Sequence, residues 1–167
     1  HKLMKIEQKR WMEATGWVTE VPGDLGKSAQ LALIFGATLV LKKPSLLEKI
    51  REAYPAARLL GCSTAGEIGG TQVYDDSLVI TAIDFEHTQC QGGQVKLSQV
   101  ESSFQAGERL AQALDPEGLC HVLVFSDGLN VNGSDLVRGL TKHLPERVTV
   151  TGGLAGDGER FSETFVF

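Results

Sequence analysis

Apolar positions along the chain fall into blocks that alternate between strand-like runs and helix-like stripes. Residues 30 to 36, QLALIFG, form a continuous apolar run closed by glycine, the pattern of a strand buried on both faces. A helix is expected from about Pro44 to Tyr54. Pro44 suits its first turn, Leu46, Leu47, Ile50 and Tyr54 line one apolar stripe, and Pro55 ends it. Arg58 to Gly61 reads as a short strand and Ser77 to Phe85 as a longer one. The turn through Glu86, His87 and Thr88 is expected to return as a hairpin partner from Gln89 to Leu97, with a bulge at Gly92 and Gly93. Ser102 and Gln105 have capping-box spacing, and Phe104, Leu110, Ala111 and Leu114 follow at helical offsets as far as Asp115 and Pro116. His121 to Phe125 is a further strand, and Ser134 to Leu144 a helix with Leu136, Val137, Leu140 and Leu144 on one face. Val148 to Val150 and Arg160 to Phe167 complete the strands, the last carrying Phe161, Phe165 and Phe167.

Strands alternating with helices over 30 to 61 and 120 to 152 imply βαβ crossovers. The expected fold is α/β, with a mixed, largely parallel sheet flanked by helices and an antiparallel hairpin portion at 77 to 97. At 167 residues the chain suits one domain, and no Pro/Ser-rich linker or internal repeat divides it. Residues 1–24 are expected to be an extension or partial element preceding an α/β domain at 25–167.

Composition narrows the function classes. Sixteen basic against 21 acidic residues give a net charge of −5, and no basic cluster exceeds the pair Lys42 and Lys43, so nucleic acid is not an expected partner. The longest apolar stretch, LALIFGATLVL, is interrupted by Gly36 and is too short to span a bilayer, so no membrane role is expected. Cys62, Cys90 and Cys120 form an odd set without a C-x-x-C pair. This pattern points to a reducing, cytoplasmic setting and to neither a disulfide framework nor a thiolate metal site.

Four expected strands run directly into small or polar residues: Gly36, then GCSTAG, SDGLNVNG and GGLAGDG. In open α/β sheets such carboxyl ends receive ligands, because glycines let backbone N–H groups approach an anion and hydroxyls add donors. The candidate ligand-binding residues are Gly61, Ser63, Thr64, Asp127, Asn132, Gly153 and Asp157. Such an edge can hold a carboxylate or phosphate, with Ser63 and Thr64 among its donors, and Asp127 and Asp157 can accept from an ammonium group or another donor. Each residue also has a plainer reading, in tight turns or caps.

GCSTA nearly spells the nucleophile turn G-x-S-x-G, with Ala65 in place of the second glycine, so a serine hydrolase built on Ser63 is the enzyme alternative. Asp127 and His143 follow in the required order. His143, however, sits at a helix end, His121 at a strand start and His87 in a turn, so none is naturally delivered to Ser63. No catalytic residue and no metal ligand set is assigned. Neither G-K-[ST] nor G-x-G-x-x-G closes any of these loops, which removes the Walker and dinucleotide readings.

Taken in order, LLGCSTAGEI, VFSDGLNVNG and VTGGLAGDGERF resemble the N-terminal domain of the FIST family of sensory proteins, over about Gln30 to Phe167. The resemblance implies an intracellular, non-enzymatic input domain that binds a small ligand such as an amino acid. It also implies a second domain beyond 167 and an output through a kinase, a cyclic-dinucleotide enzyme or a chemotaxis component. Some members are haem-containing nitric oxide sensors. Haem needs an axial histidine or thiolate beside an apolar slot, and none is expected here.

Overall fold

The computed structural model describes residues 4–19, 21 and 23–167. These form two compact units, one comprising the chain up to Cys90 together with Ala155–Phe167, the other Gln91–Leu154.

The first unit contains β1 (Lys5–Met12), β2 (Gly16–Trp17), β3 (Leu31–Gly36), α1 (Thr38–Leu41), α2 (Pro44–Ala53), β4 (Arg58–Ser63), β5 (Glu67–Gly69), β6 (Gln72–Tyr74) and β7 (Ser77–Asp84). Five of the strands make one sheet in the order β2-β1-β7-β3-β4. Only β3 and β4 run parallel; β1 with β2, β1 with β7 and β3 with β7 are antiparallel. The α/β class and the mixed sheet are as the sequence implies, but this sheet is largely antiparallel rather than largely parallel.

The sheet's composition follows from which edges β7 offers. Both are filled, by β1 over eight register pairs and by β3 over six, so nothing is left for the expected return strand at 89 to 97. That stretch holds only a 3-10 turn at Leu97–Gln99, in the second unit. The antiparallel hairpin lies instead at β5 and β6, turning at Gly70, whose φ of +62° suits glycine. The N-terminal stretch, expected to be an extension or partial element, contributes β1. Its charged sequence KIEQKRWM hides the strand, and Glu7 is used by accepting from the Tyr54 hydroxyl at 2.9 Å.

In β3, Ala32 and Ile34 are fully buried while Leu31, Leu33 and Phe35 are half-buried, a two-residue alternation in place of equal burial on both faces. Ala32 and Ile34 share one core with Leu78, Ile80 and Ala82 of β7 and with Leu46, Ile50 and Ala53 of α2. Burying each such Leu or Ile stabilises the unit by about 1.5–3 kcal/mol relative to exposure. Pro44 opens α2 as expected. Of the expected terminal strand, only the last three residues run along β4. Gly61 N donates to Phe167 O at 2.9 Å and Phe167 N to Gly61 O at 3.1 Å. A Cβ on Gly61 would strike the Ile34 carbonyl and the Phe167 ring, so glycine is needed where these strands close up. Phe165 and Phe167 pack against the core, whereas Phe161 is 77% exposed.

The second unit contains α3 (Ser103–Gln112), β8 (His121–Ser126), α4 (Gly133–His143) and β9 (Thr149–Leu154), with β8 and β9 parallel. Ser102 caps α3 by accepting from Gln105 N at 3.1 Å, while Gln105 Oε1 accepts from Glu101 N at 2.8 Å, a capping box displaced by one residue on its return arm. The helices approach backbone to backbone: a Cβ on Gly139 would run into the Phe104 carbonyl, and one on Gly107 into that of Leu136. Ala106, Ala111, Leu136 and Leu140 form the core there.

Candidate functional site

Gly36 and Ser63 are register partners at the carboxyl ends of β3 and β4, and Ala37 N donates to Ser77 O at the start of β7. This corner of the first unit gathers buried polar groups. Thr38, Ser63, Glu67, Ser77 and Asp157 are all buried. Ser63 is fully enclosed and uses all its polar atoms: its N donates to Phe165 O, its carbonyl accepts from Gly156 N, and its Oγ accepts from Phe165 N at 2.9 Å. Thr64, half-buried, donates through Oγ1 to Glu67 Oε1 at 2.6 Å, and Ser77 donates to Glu67 Oε2 through Oγ at 2.6 Å and through N at 3.2 Å. Burial pushes the Glu67 carboxyl above the ordinary glutamate range, against the lowering effect of those hydrogen bonds; the nearby negative Asp75 adds to the rise.

Asp157 ties down the loop that follows. Its Oδ1 accepts from Arg160 Nε at 3.1 Å and Nη2 at 2.9 Å, and its Oδ2 from Ser162 N and Oγ, both at 3.0 Å, and from Glu163 N at 3.1 Å. The Thr38 hydroxyl, although outside regular hydrogen-bond geometry, does most to hold this carboxyl well below the usual aspartate range, and the Ser162, Glu163 and Arg160 donors reinforce it. Lys42 pairs with Glu163 alongside.

The second unit has its own strand-end site. Ser126 closes β8 opposite Leu154 of β9, and its Oγ is buried without a hydrogen-bond partner among the described residues. Asp127 follows, half-buried, with Oδ1 accepting from Leu129 N at 3.0 Å and Asn130 N at 2.5 Å, which shapes the turn. Asn132 caps α4 by accepting from Asp135 N at 3.1 Å. On β9, a Cβ at Gly152 would collide with the Val124 carbonyl, whereas Gly153 faces open space. The seven candidate residues therefore divide: Gly61, Ser63, Thr64 and Asp157 stand together in the first unit, and Asp127, Asn132 and Gly153 in the second.

The three loops that carry these residues match the FIST N domain model, over residues 30–167. The chain belongs to the FIST family. No curated protein and no solved structure matches it. FIST domains are generally sensory, ligand-binding domains, and this FIST chain has a mixed α/β architecture. No helix among the described residues is long and apolar enough to cross a membrane.

The geometry around Ser63 does not favour attack by its hydroxyl. Each internal histidine is engaged elsewhere: His87 with Glu86 at 3.3 Å, His121 with Thr151 at 2.8 Å and His143 with Glu108 at 3.0 Å. The buried Cys62 thiol is pushed up to about 11 by desolvation, so it is no ready thiolate. Sequence reasoning passed over Thr38 and Ser77. Both follow a glycine or aspartate turn at a strand end, which is the signal that could have found them.

Proposed function

We propose that this FIST N domain is a sensory input module that binds a small molecule, an amino acid, at the carboxyl ends of β8 and β9, and passes its bound state to a signalling output partner. The observation that carries this reading is the Ser126 hydroxyl, buried at a strand end with no hydrogen-bond partner among the described residues and followed directly by the Asp127 carboxylate. A buried hydroxyl without a partner is disfavoured by about 1–3 kcal/mol, a penalty that a polar ligand removes. Asp127 receives the ligand's ammonium, Ser126 hydrogen-bonds its polar atoms, and Gly153 leaves space beside them. Asp157 is the weaker choice for the ammonium, because five donors already converge on its two oxygens. Ser63 and Thr64 hold the first unit's corner together.

A thermal-shift screen of the twenty amino acids tests this, since a ligand at 100 times its Kd adds about 2.7 kcal/mol of stability. Asp127→Asn keeps an oxygen for the Leu129 and Asn130 N–H groups while removing the charge and turning the other oxygen into an NH2 donor. It should steeply raise the ligand's off-rate. If no amino acid stabilises the protein, or if the Asn variant binds the hit with wild-type kinetics, the assignment is wrong.

A further inference from the structure

The amino ends of β3 and β4 lie at the opposite end of the parallel pair from the Ser63 corner. There, within the first unit, a cleft of about 290 Å3 is lined by Gln30, Ala56, Arg58, Thr88, Gln89 and Cys90. Ligand sites commonly run to roughly 300–1,000 Å3, so this one suits only a small molecule. Backbone bonds fix its frame: Arg58 N donates to Gln30 O at 2.9 Å, and Gln30 N to Ile83 O at 2.9 Å.

Two of the lining side chains are each anchored through one atom and keep their other donors. Arg58 Nε donates to Cys90 O at 2.9 Å, which holds the guanidinium in place, and no acceptor among the described residues takes its Nη nitrogens. Arg58 is exposed, so that edge is open to a ligand. Gln30 Oε1 accepts from Phe85 N at 2.9 Å, which orients the amide and leaves both N–H donors of Nε2 over. Thr88 adds a hydroxyl and Gln89 a second amide.

The charge of the cleft favours an anion. None of its lining residues is acidic. Among the described residues, the ion pairs of the first unit use Lys42, Lys43, His87 and Arg160, and no carboxylate pairs with Arg58. Burial raises the Cys90 thiol against the opposing effect of the Arg58 charge, so the thiol stays protonated at neutral pH and does not neutralise the guanidinium. One cation among neutral donors matches one negative charge, whereas a doubly charged phosphate would lack a second cation.

We infer that this cleft binds a small carboxylate carrying a further acceptor oxygen, as a 2-oxo acid does. The carboxylate oxygens take the paired Nη donors of Arg58, since two parallel N–H···O bonds then form in one plane. The remaining oxygen takes the amide and hydroxyl donors of the lining. The site is built wholly from the first unit and is independent of the amino-acid reading at β8 and β9, so either can fail alone.

The test is an NMR titration of the full chain with sodium pyruvate at constant ionic strength, following the amide signals of Arg58, Thr88, Gln89 and Cys90. Saturable shifts at these positions, absent with sodium chloride and weaker with sodium propionate, are the expected result. Arg58→Gln removes the charge at an exposed position and should weaken pyruvate by at least about tenfold, the loss of one charged hydrogen bond. If that variant does not fold by tryptophan fluorescence, Ala56→Glu, which sets a carboxylate on the cleft wall, should abolish the saturable shift in its place. A linear response to pyruvate, an equal midpoint with propionate, or tighter binding of inorganic phosphate than of pyruvate overturns the inference. Wild-type affinity in either folded variant overturns it as well.

Discussion

Replacing Ser63 with alanine tests whether this residue is a structural tie rather than a nucleophile. The substitution removes one oxygen from a fully enclosed position. Apolar burial is not lost, so any destabilisation must come from the partner left behind. That partner is the Phe165 N–H, which donates to Ser63 Oγ at 2.9 Å in the segment laid along β4. An N–H stranded away from water costs about 1–3 kcal/mol. Ser63 N and O keep their own bonds to Phe165 O and Gly156 N, so the segment should loosen rather than leave. Both tryptophans, Trp11 and Trp17, belong to the first unit and pack against its core. Intrinsic fluorescence in a urea titration therefore reports on that unit, and with m of about 1–3 kcal/mol per M the midpoint should fall by roughly 0.3–3 M. Hydrogen exchange at the Phe165 amide should speed up by more than the global change. An Ala variant within about 0.5 kcal/mol of wild type with unaltered Phe165 exchange would refute this account of Ser63.

Gly139→Ala should destabilise the second unit by about 1–3 kcal/mol, the usual cost of overpacking, because its Cβ meets the Phe104 backbone; circular dichroism melts against an exposed-site alanine control will show it. For Glu67, burial raises the folded-state pKa above the unfolded one, so its contribution is complete below the ordinary glutamate range near 4.3 and is lost as pH rises through the shifted value. Unfolding free energies measured from pH 4.5 to 8 should decline less steeply for Glu67→Gln than for wild type, and identical slopes refute the assignment. Asp157 behaves oppositely: its depressed pKa makes its contribution full above the unfolded value of about 3.9 and lost as pH falls below it. Asp157→Asn should therefore be less stable at neutral pH and show a flatter acid limb in the same fluorescence assay; an unchanged acid limb would contradict it.

The sequence by itself determined the local elements with strong periodic or punctuating signals. Pro44 and the stripe of Leu46 and Ile50 gave α2; Ser102 and Gln105 gave the start of α3; the run LALIFG gave β3. The ordered glycine-rich loops also carried the family, because each couples a strand end to a small polar set over a few residues. Tertiary structure decided what local spacing cannot encode. Pairing of β7 with β1 joins residues some seventy positions apart and hides in a charged stretch, so both the sheet's composition and the use of the first residues had to come from the fold. The roles of the candidate residues were decided the same way. Asp157 and Ser63 look alike as ligand groups in sequence, yet Asp157 is committed within its own loop to Arg160, Ser162 and Glu163, and Ser63 to Phe165 across 102 positions. Whether a polar side chain is spent on the fold or left for a ligand depends on its partners in space, and residue types along the chain do not by themselves say which partners it takes.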